Sequence, residues 1–208
     1  KSLLIVFLLS ANFIIFFSIL TTPTIFSGRD QGSYSEAAIR LSQNHKLEFS
    51  TPASKEFFKI YGSGKALNFP GFNYTKDGEL ITQFPVGYIS WLAVFYSLFG
   101  LSGLIVANAI SFFVFLTCFY LLSRIYLDKA SSFVAFFLIL TSFIFSWFFK
   151  YTLSENLALG IIFLGLYQIA LYLKNYQKFH LFLGLLSFTT LLLIKIESFA
   201  FLFAITFI

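Results

Sequence analysis

Arg29-Asp30 places a guanidinium and a carboxylate directly after the first long apolar run, and Ser33-Tyr34-Ser35-Glu36 follows with the spacing of a capping box. A hydroxyl at the first position and a carboxylate three residues on satisfy two orphan amides at a helix start, so a helix is expected from about Ser33. Its Tyr34, Ala37, Ala38 and Leu41 fall on one face, with Ser35, Glu36, Arg40 and Gln43 on others, which predicts a helix lying along a surface rather than spanning. Asp30 then stands beside a helix N-terminus at a membrane boundary, where free N–H groups and the helix dipole favour a phosphate nearby.

Two further charged groups interrupt apolar sequence. Thr152-Leu153-Ser154-Glu155 repeats the capping-box spacing. Glu155 therefore either starts the next helix or serves as a second carboxylate for a metal ion, a lysine or a substrate hydroxyl. Lys195 and Glu197 either snorkel at a helix end or put the Lys195 ammonium on an anionic headgroup. His45 and His180 have no metal-ligand spacing, and Lys150 fits no role clearly. Tyr61-Gly62-Ser63-Gly64-Lys65 lacks the spacing and the final Ser or Thr of a phosphate loop.

The elements that must position these groups belong to a membrane protein. The composition is 58% hydrophobic, with 32 Phe among 208 residues, 11% charged residues and a mean hydropathy of +0.85. The net charge of +5 is thinly spread and forms no basic stripe, which argues against nucleic acid as a partner. Cys118 is the lone cysteine, so no disulfide forms within the chain. Leu3 to Phe26 is uncharged over 24 residues, too long for the core of a signal peptide and enough for a spanning helix. The absence of Met at position 1 and the end at Ile208 inside an apolar run suggest an N-terminal fragment lacking its C-terminal remainder.

From Ser27 to Pro85 the chain turns polar, holding seven Lys or Arg and six Asp or Glu. This loop, about 27 to 85, is expected to fold as surface helices and turns outside the membrane. Lys76-Asp77-Gly78-Glu79 is placed to turn a hairpin, and Phe57, Phe58, Tyr61, Phe69, Phe72 and Tyr74 are candidates to anchor the loop at the interface. Val86 to Phe99, at 14 residues, suits an interfacial or re-entrant helix, whereas Leu104 to Leu122 is long enough to cross. Apolar runs follow at about Ser131 to Phe149, Leu157 to Leu173 and Leu181 to Ile194, and Phe199 begins another. If Val86 to Phe99 does not cross, the basic loops holding Arg124 and Lys129, and Lys174 and Lys178, are cytoplasmic with Lys1. Asp30, Glu155 and Lys195 then share the external side. The expectation is an all-α, multi-span helical bundle with a long external loop containing juxtamembrane helices after the first span.

The chain resembles the polytopic GT-C glycosyltransferases of the protein O-mannosyltransferase and aminoarabinose-transferase type. The resemblance rests on Arg29-Asp30 followed by Tyr34-Ser35-Glu36-Ala37-Ala38, on Asp77-Gly78-Glu79-Leu80, and on Phe84-Pro85-Val86-Gly87-Tyr88. Leu98-Phe99-Gly100-Leu101-Ser102 and Thr152-Leu153-Ser154-Glu155-Asn156 extend it over about residues 26 to 198. Gln31 stands where the family often has a second acidic residue, and Lys195 where an Arg is common. The resemblance implies transfer of a sugar from a polyprenyl-phosphate donor to a lipid, glycan or protein acceptor on the external face of a plasma (inner) membrane, with inversion. It implies Asp30 as base, and Arg29, Tyr34, Glu155 and Lys195 toward the substrate and lipid phosphate; it leaves a divalent metal open. A transporter or lipid flippase is the alternative, and a structural membrane protein a third reading.

Overall fold

A computed structural model of the chain describes residues 2–22, 30–200 and 203. The described elements are, in order, α1 (Ser2–Ile19), α2 (Asp30–Asn44), α3 (Pro52–Tyr61), β1 (Gly64–Lys65), β2 (Phe72–Tyr74), β3 (Leu80–Thr82), α4 (Val86–Phe99), α5 (Leu101–Tyr126), α6 (Lys129–Leu140), α7 (Phe143–Phe149), α8 (Ser154–Asn175) and α9 (Lys178–Leu191), with a 3₁₀ turn over Ile196–Ser198. The chain is therefore predominantly α-helical. It divides into a helical unit of Lys1–Thr22 with Ile105–Ile208, and a lobe of Pro23–Leu104. Arg29 and the start of the polar loop lie outside the described residues, as does most of the apolar run beginning at Phe199.

In the lobe, α2 packs its small face on α4, with Tyr34, Ala37 and Ala38 buried from one side and Tyr88, Ile89, Leu92 and Ala93 from the other. Alanines at the contact let the two backbones approach closely, and the opposite face of α4 leaves Val94 and Leu98 exposed. Helix α2 begins at Asp30, three residues before the expected start. The capping box at Ser33 is consequently not formed: Ser33 lies inside the first turn and its hydroxyl donates to the Pro70 carbonyl at 2.5 Å, while Glu36 pairs with Arg40 at 3.0 Å. Ser35, expected on an outer face, is fully buried and donates to the Gln31 carbonyl at 2.9 Å. The chain turns over Ser33 at Gly71, whose φ of +86° and missing Cβ are both required, because a Cβ there would lie 2.5 Å from Ser33.

The hairpin expected around Asp77-Gly78 forms: β2 and β3 are antiparallel, with Phe72 opposite Thr82 and Tyr74 opposite Leu80. An added strand, β1, completes a three-stranded sheet in the order β1-β2-β3, a small element that periodicity did not foretell. Gly64 and Lys65, excluded above as a phosphate loop, form that strand. Helix α3 starts at a true capping box, with Thr51 Oγ1 accepting from Ser54 N at 3.0 Å, Ser54 Oγ accepting from Thr51 N at 2.9 Å, and Pro52 in the first turn.

Of the six aromatics expected at the interface, Phe72 and Tyr74 instead form the core of this sheet, at 5% and 4% exposure. Tyr74 packs between Phe58 and Phe69, and burial pushes its phenol up from the ordinary value. Its hydroxyl is buried with no hydrogen-bond partner among the described residues. Tyr74→Phe is therefore expected to raise stability by about 1 kcal/mol, since an unsatisfied buried hydroxyl costs roughly 1–3 kcal/mol. A higher midpoint in urea unfolding, followed by proteolysis within the lobe, is the expected reading; a lower one would mean that the hydroxyl is satisfied.

In the other unit, α1, α5 and α8 are each long and apolar enough to cross a membrane. Their core is aromatic: Val6 and Ile14 of α1 meet Phe112, Phe115, Leu116 and Tyr120 of α5, Phe136 and Leu140 of α6, and Phe149 of α7. Helices α5 and α8 touch closely at Gly160, where a Cβ would lie 2.8 Å from the Ser111 carbonyl. Helices α8 and α9 form a hairpin with Gly165 and Gly184 at the contact, against Phe188 and Ile169.

The apolar run at Ser131–Phe149 falls on two helices, α6 and α7, bent by 55°. The bend falls at Thr141 and Ser142. The Thr141 hydroxyl donates back to the Phe137 carbonyl at 2.8 Å, and such back-bonding bends helices in apolar surroundings. Asp128 caps α6, accepting from Ala130 N at 2.7 Å and Ser131 N at 3.1 Å. The Ser131 hydroxyl, 2.6 Å away, leads these donors in holding the Asp128 carboxyl below its usual range.

Candidate functional site

Glu155 and Lys195, forty positions apart, are in direct contact: Lys195 Nζ donates to Glu155 Oε1 at 2.8 Å. The expected capping box at Thr152 is not formed. Leu153 is the residue that precedes α8, and no side chain caps there, so Glu155 sits in the first turn with its carboxylate turned to Lys195. A carboxylate at that place is favoured twice, by the helix N-terminus and by the ammonium.

Lys195 is held from its backbone. Its amide donates to the Leu191 carbonyl at 2.9 Å, and its carbonyl accepts from Ser198 N at 3.2 Å. Extended dihedrals at this residue end the last turn after α9 and begin the 3₁₀ turn, which directs the side chain to α8. The pair is partly open, with 30% of the Lys195 side chain and 41% of that of Glu155 exposed. Ion pairs of that exposure contribute roughly 0–1 kcal/mol, too little for stability to be their chief consequence.

The pair lies at an apolar groove of about 300 Å³. Ile144, Phe145 and Phe148 of α7 line one wall, and Ala158, Leu159 and Ile162 of α8 the other. Apart from Glu155 and Lys195 the described lining is apolar, so the groove offers hydrocarbon walls that end on a paired carboxylate and ammonium, at the small end of the range for ligand pockets.

Two asparagines hold the turn that carries Glu155: Asn156, which closes the Thr152–Asn156 segment, and Asn108, which the sequence did not single out. Asn156 Nδ2 donates to the Tyr151 carbonyl at 2.8 Å and to the Phe148 carbonyl at 3.2 Å. Asn108 Nδ2, from α5, donates to the same Tyr151 carbonyl at 2.8 Å. Both are buried, at 3% and 2% exposure, and together they satisfy carbonyls freed where α7 ends. The available signal for Asn108 was an amide in the middle of an otherwise apolar run, where a polar side chain is expensive without a partner. Lys150 in the same turn lies over the Phe17 ring at 5.9 Å.

Asp30 and Tyr34 belong to the lobe. Asp30 is exposed and opens α2, in the first turn as expected for a carboxylate at a helix N-terminus. Tyr34 is 5% exposed, stacked on Phe84 at 4.3 Å and edge-on to Tyr88 at 5.2 Å. Two separate sequence motifs thus meet: the ring after Asp30 is clamped by the aromatics that flank Pro85. That contact gives Tyr34 the work of fixing α2, and hence Asp30, on α4.

His180 Nδ1 pairs with Gln168 Oε1 at 2.7 Å, across the α8–α9 hairpin. No group of three or more His, Cys, Asp or Glu among the described residues has the arrangement of a metal site. No family model matches the chain, and neither a curated protein nor a solved structure matches it.

Proposed function

We propose that the protein is a multi-span membrane glycosyltransferase, moving a sugar from a polyprenyl-phosphate donor to a lipid, glycan or protein acceptor on the external face of the membrane. The observation that carries this reading is the apolar groove between α7 and α8 that ends on Lys195 and Glu155. A lipid phosphate is an anion on a hydrocarbon chain, and the groove offers each part its complement. The order of the motifs from Arg29-Asp30 to Thr152–Asn156 supports the same reading.

In the proposed step the acceptor oxygen bonds to the anomeric carbon as the bond from that carbon to the phosphate oxygen breaks. The configuration inverts, the acceptor proton passes to the Asp30 carboxylate, and the electron pair leaves with the polyprenyl phosphate. The charge developing on that phosphate needs a cation, and the candidates are Lys195, for which Glu155 competes, and Arg29. No covalent enzyme intermediate is needed.

A lipid flippase or transporter is the second reading, favoured by the 55° break between α6 and α7, since broken helices recur where membrane proteins move substrates. Membranes holding the full-length protein, given a polyprenyl phosphate carrying radiolabelled sugar, separate the two. Transfer of label to an acceptor with release of polyprenyl phosphate is expected. Movement of intact donor between leaflets, with the sugar still attached, would instead establish the second reading.

A further inference from the structure

Helix α3 and the turn after it expose an apolar patch that the lobe does not cover. Ile60 is 72% exposed, Tyr61 50% and Leu67 64%. The patch is continuous through rings: Phe57 packs on Tyr61 at 6.3 Å and on Phe69 at 6.2 Å, joining the end of α3 to the turn closed by Phe69 N on the Ala66 carbonyl. The other side of α3 faces inward, where Ser54 is buried and Phe58 packs on Tyr74 at 5.5 Å. Lys55, Lys59 and Lys65 are exposed in the same stretch, and Glu56, the lone acid between residues 52 and 69, pairs with Lys59 at 2.7 Å, which leaves Lys55 and Lys65 as excess positive charge.

We infer that Ile60, Tyr61 and Leu67 form a bilayer-docking surface, seating the lobe in the headgroup region of a membrane that carries anionic lipid. The lobe is joined in sequence to α1 on one side and α5 on the other, both long enough to span, so a bilayer is present at high effective concentration. Three large side chains are far fewer than the roughly 20–30 residues a stable protein interface uses on each side. They match the way an interfacial helix inserts a few aliphatic and aromatic groups while flanking lysines stay with the phosphates. The inference holds whether or not the protein transfers sugar.

Cys118 is the lone cysteine, so a Cys118→Ala background admits single probes at Ile60→Cys and Leu67→Cys in the full-length protein. Labelled with an environment-sensitive fluorophore, in phosphatidylcholine vesicles containing phosphatidylglycerol, both positions should be quenched more by doxyl-labelled lipid than by aqueous iodide. Stronger quenching by iodide would overturn the inference, as would protection from both, which would mean that protein covers the patch. Removing phosphatidylglycerol should weaken the lipid quenching, and the combined Lys55→Gln, Lys59→Gln and Lys65→Gln protein should lose that dependence. An unchanged dependence would overturn the assignment of the lysines to anionic headgroups.

Discussion

Asp30→Asn in the full-length protein is expected to abolish sugar transfer while leaving the lobe folded. The substitution removes basicity and hardly alters shape. Loss of a general base lowers a rate by about 100- to 10,000-fold, or about 2.7–5.4 kcal/mol in the barrier at 1.36 kcal/mol per tenfold. The structural effect is far smaller: an exposed carboxylate in the first turn of a helix contributes roughly 0.3–1 kcal/mol through the dipole, and Asn can still accept from the first amides. The two consequences separate cleanly in one preparation, by transfer rate and by unfolding midpoint. Transfer within a few-fold of the unaltered protein would remove Asp30 as the base and make Glu155 the next residue to substitute. Failure of the variant to accumulate would instead make Asp30 a structural residue.

Lys195→Gln is expected to weaken binding of a short-chain polyprenyl phosphate by about 10- to 100-fold, since a hydrogen bond to a charged group is worth roughly 1.5–3 kcal/mol. Glu155→Gln should do the opposite, because it removes the carboxylate that holds the ammonium at 2.8 Å and competes with the phosphate. Both changes break the same partly exposed ion pair, so stability should fall by no more than about 1 kcal/mol in either. Titration of the lipid into each variant, alongside the uncharged polyprenol, measures the contrast. Equal weakening by both substitutions would show that the pair only braces α8, and equal affinity for alcohol and phosphate would remove Lys195 from the headgroup.

The helical character of the chain and the positions of its three longest apolar helices are legible in the sequence. Long uncharged stretches can satisfy their backbone only as helices in an apolar medium, so α1, α5 and α8 were legible from composition and length. The hairpin at Asp77-Gly78 was legible for a similarly local reason: Gly78 has a φ of +82°, a conformation that glycine adopts without strain. What lay beyond the sequence were the choices that depend on distant partners. Ser33 and Glu155 each carry the local signature of a cap, and each instead bonds elsewhere, to the Pro70 carbonyl and to Lys195. A cap competes with any better-placed partner, and only the tertiary fold decides which partners arrive. The same holds for Phe72 and Tyr74, whose aromatic character suits an interface or a core alike, and which a third strand and α3 enclose. Asn108 and Asn156 converge on one carbonyl from two helices, and their meeting is a product of packing between α5 and α8 that no spacing along the chain encodes.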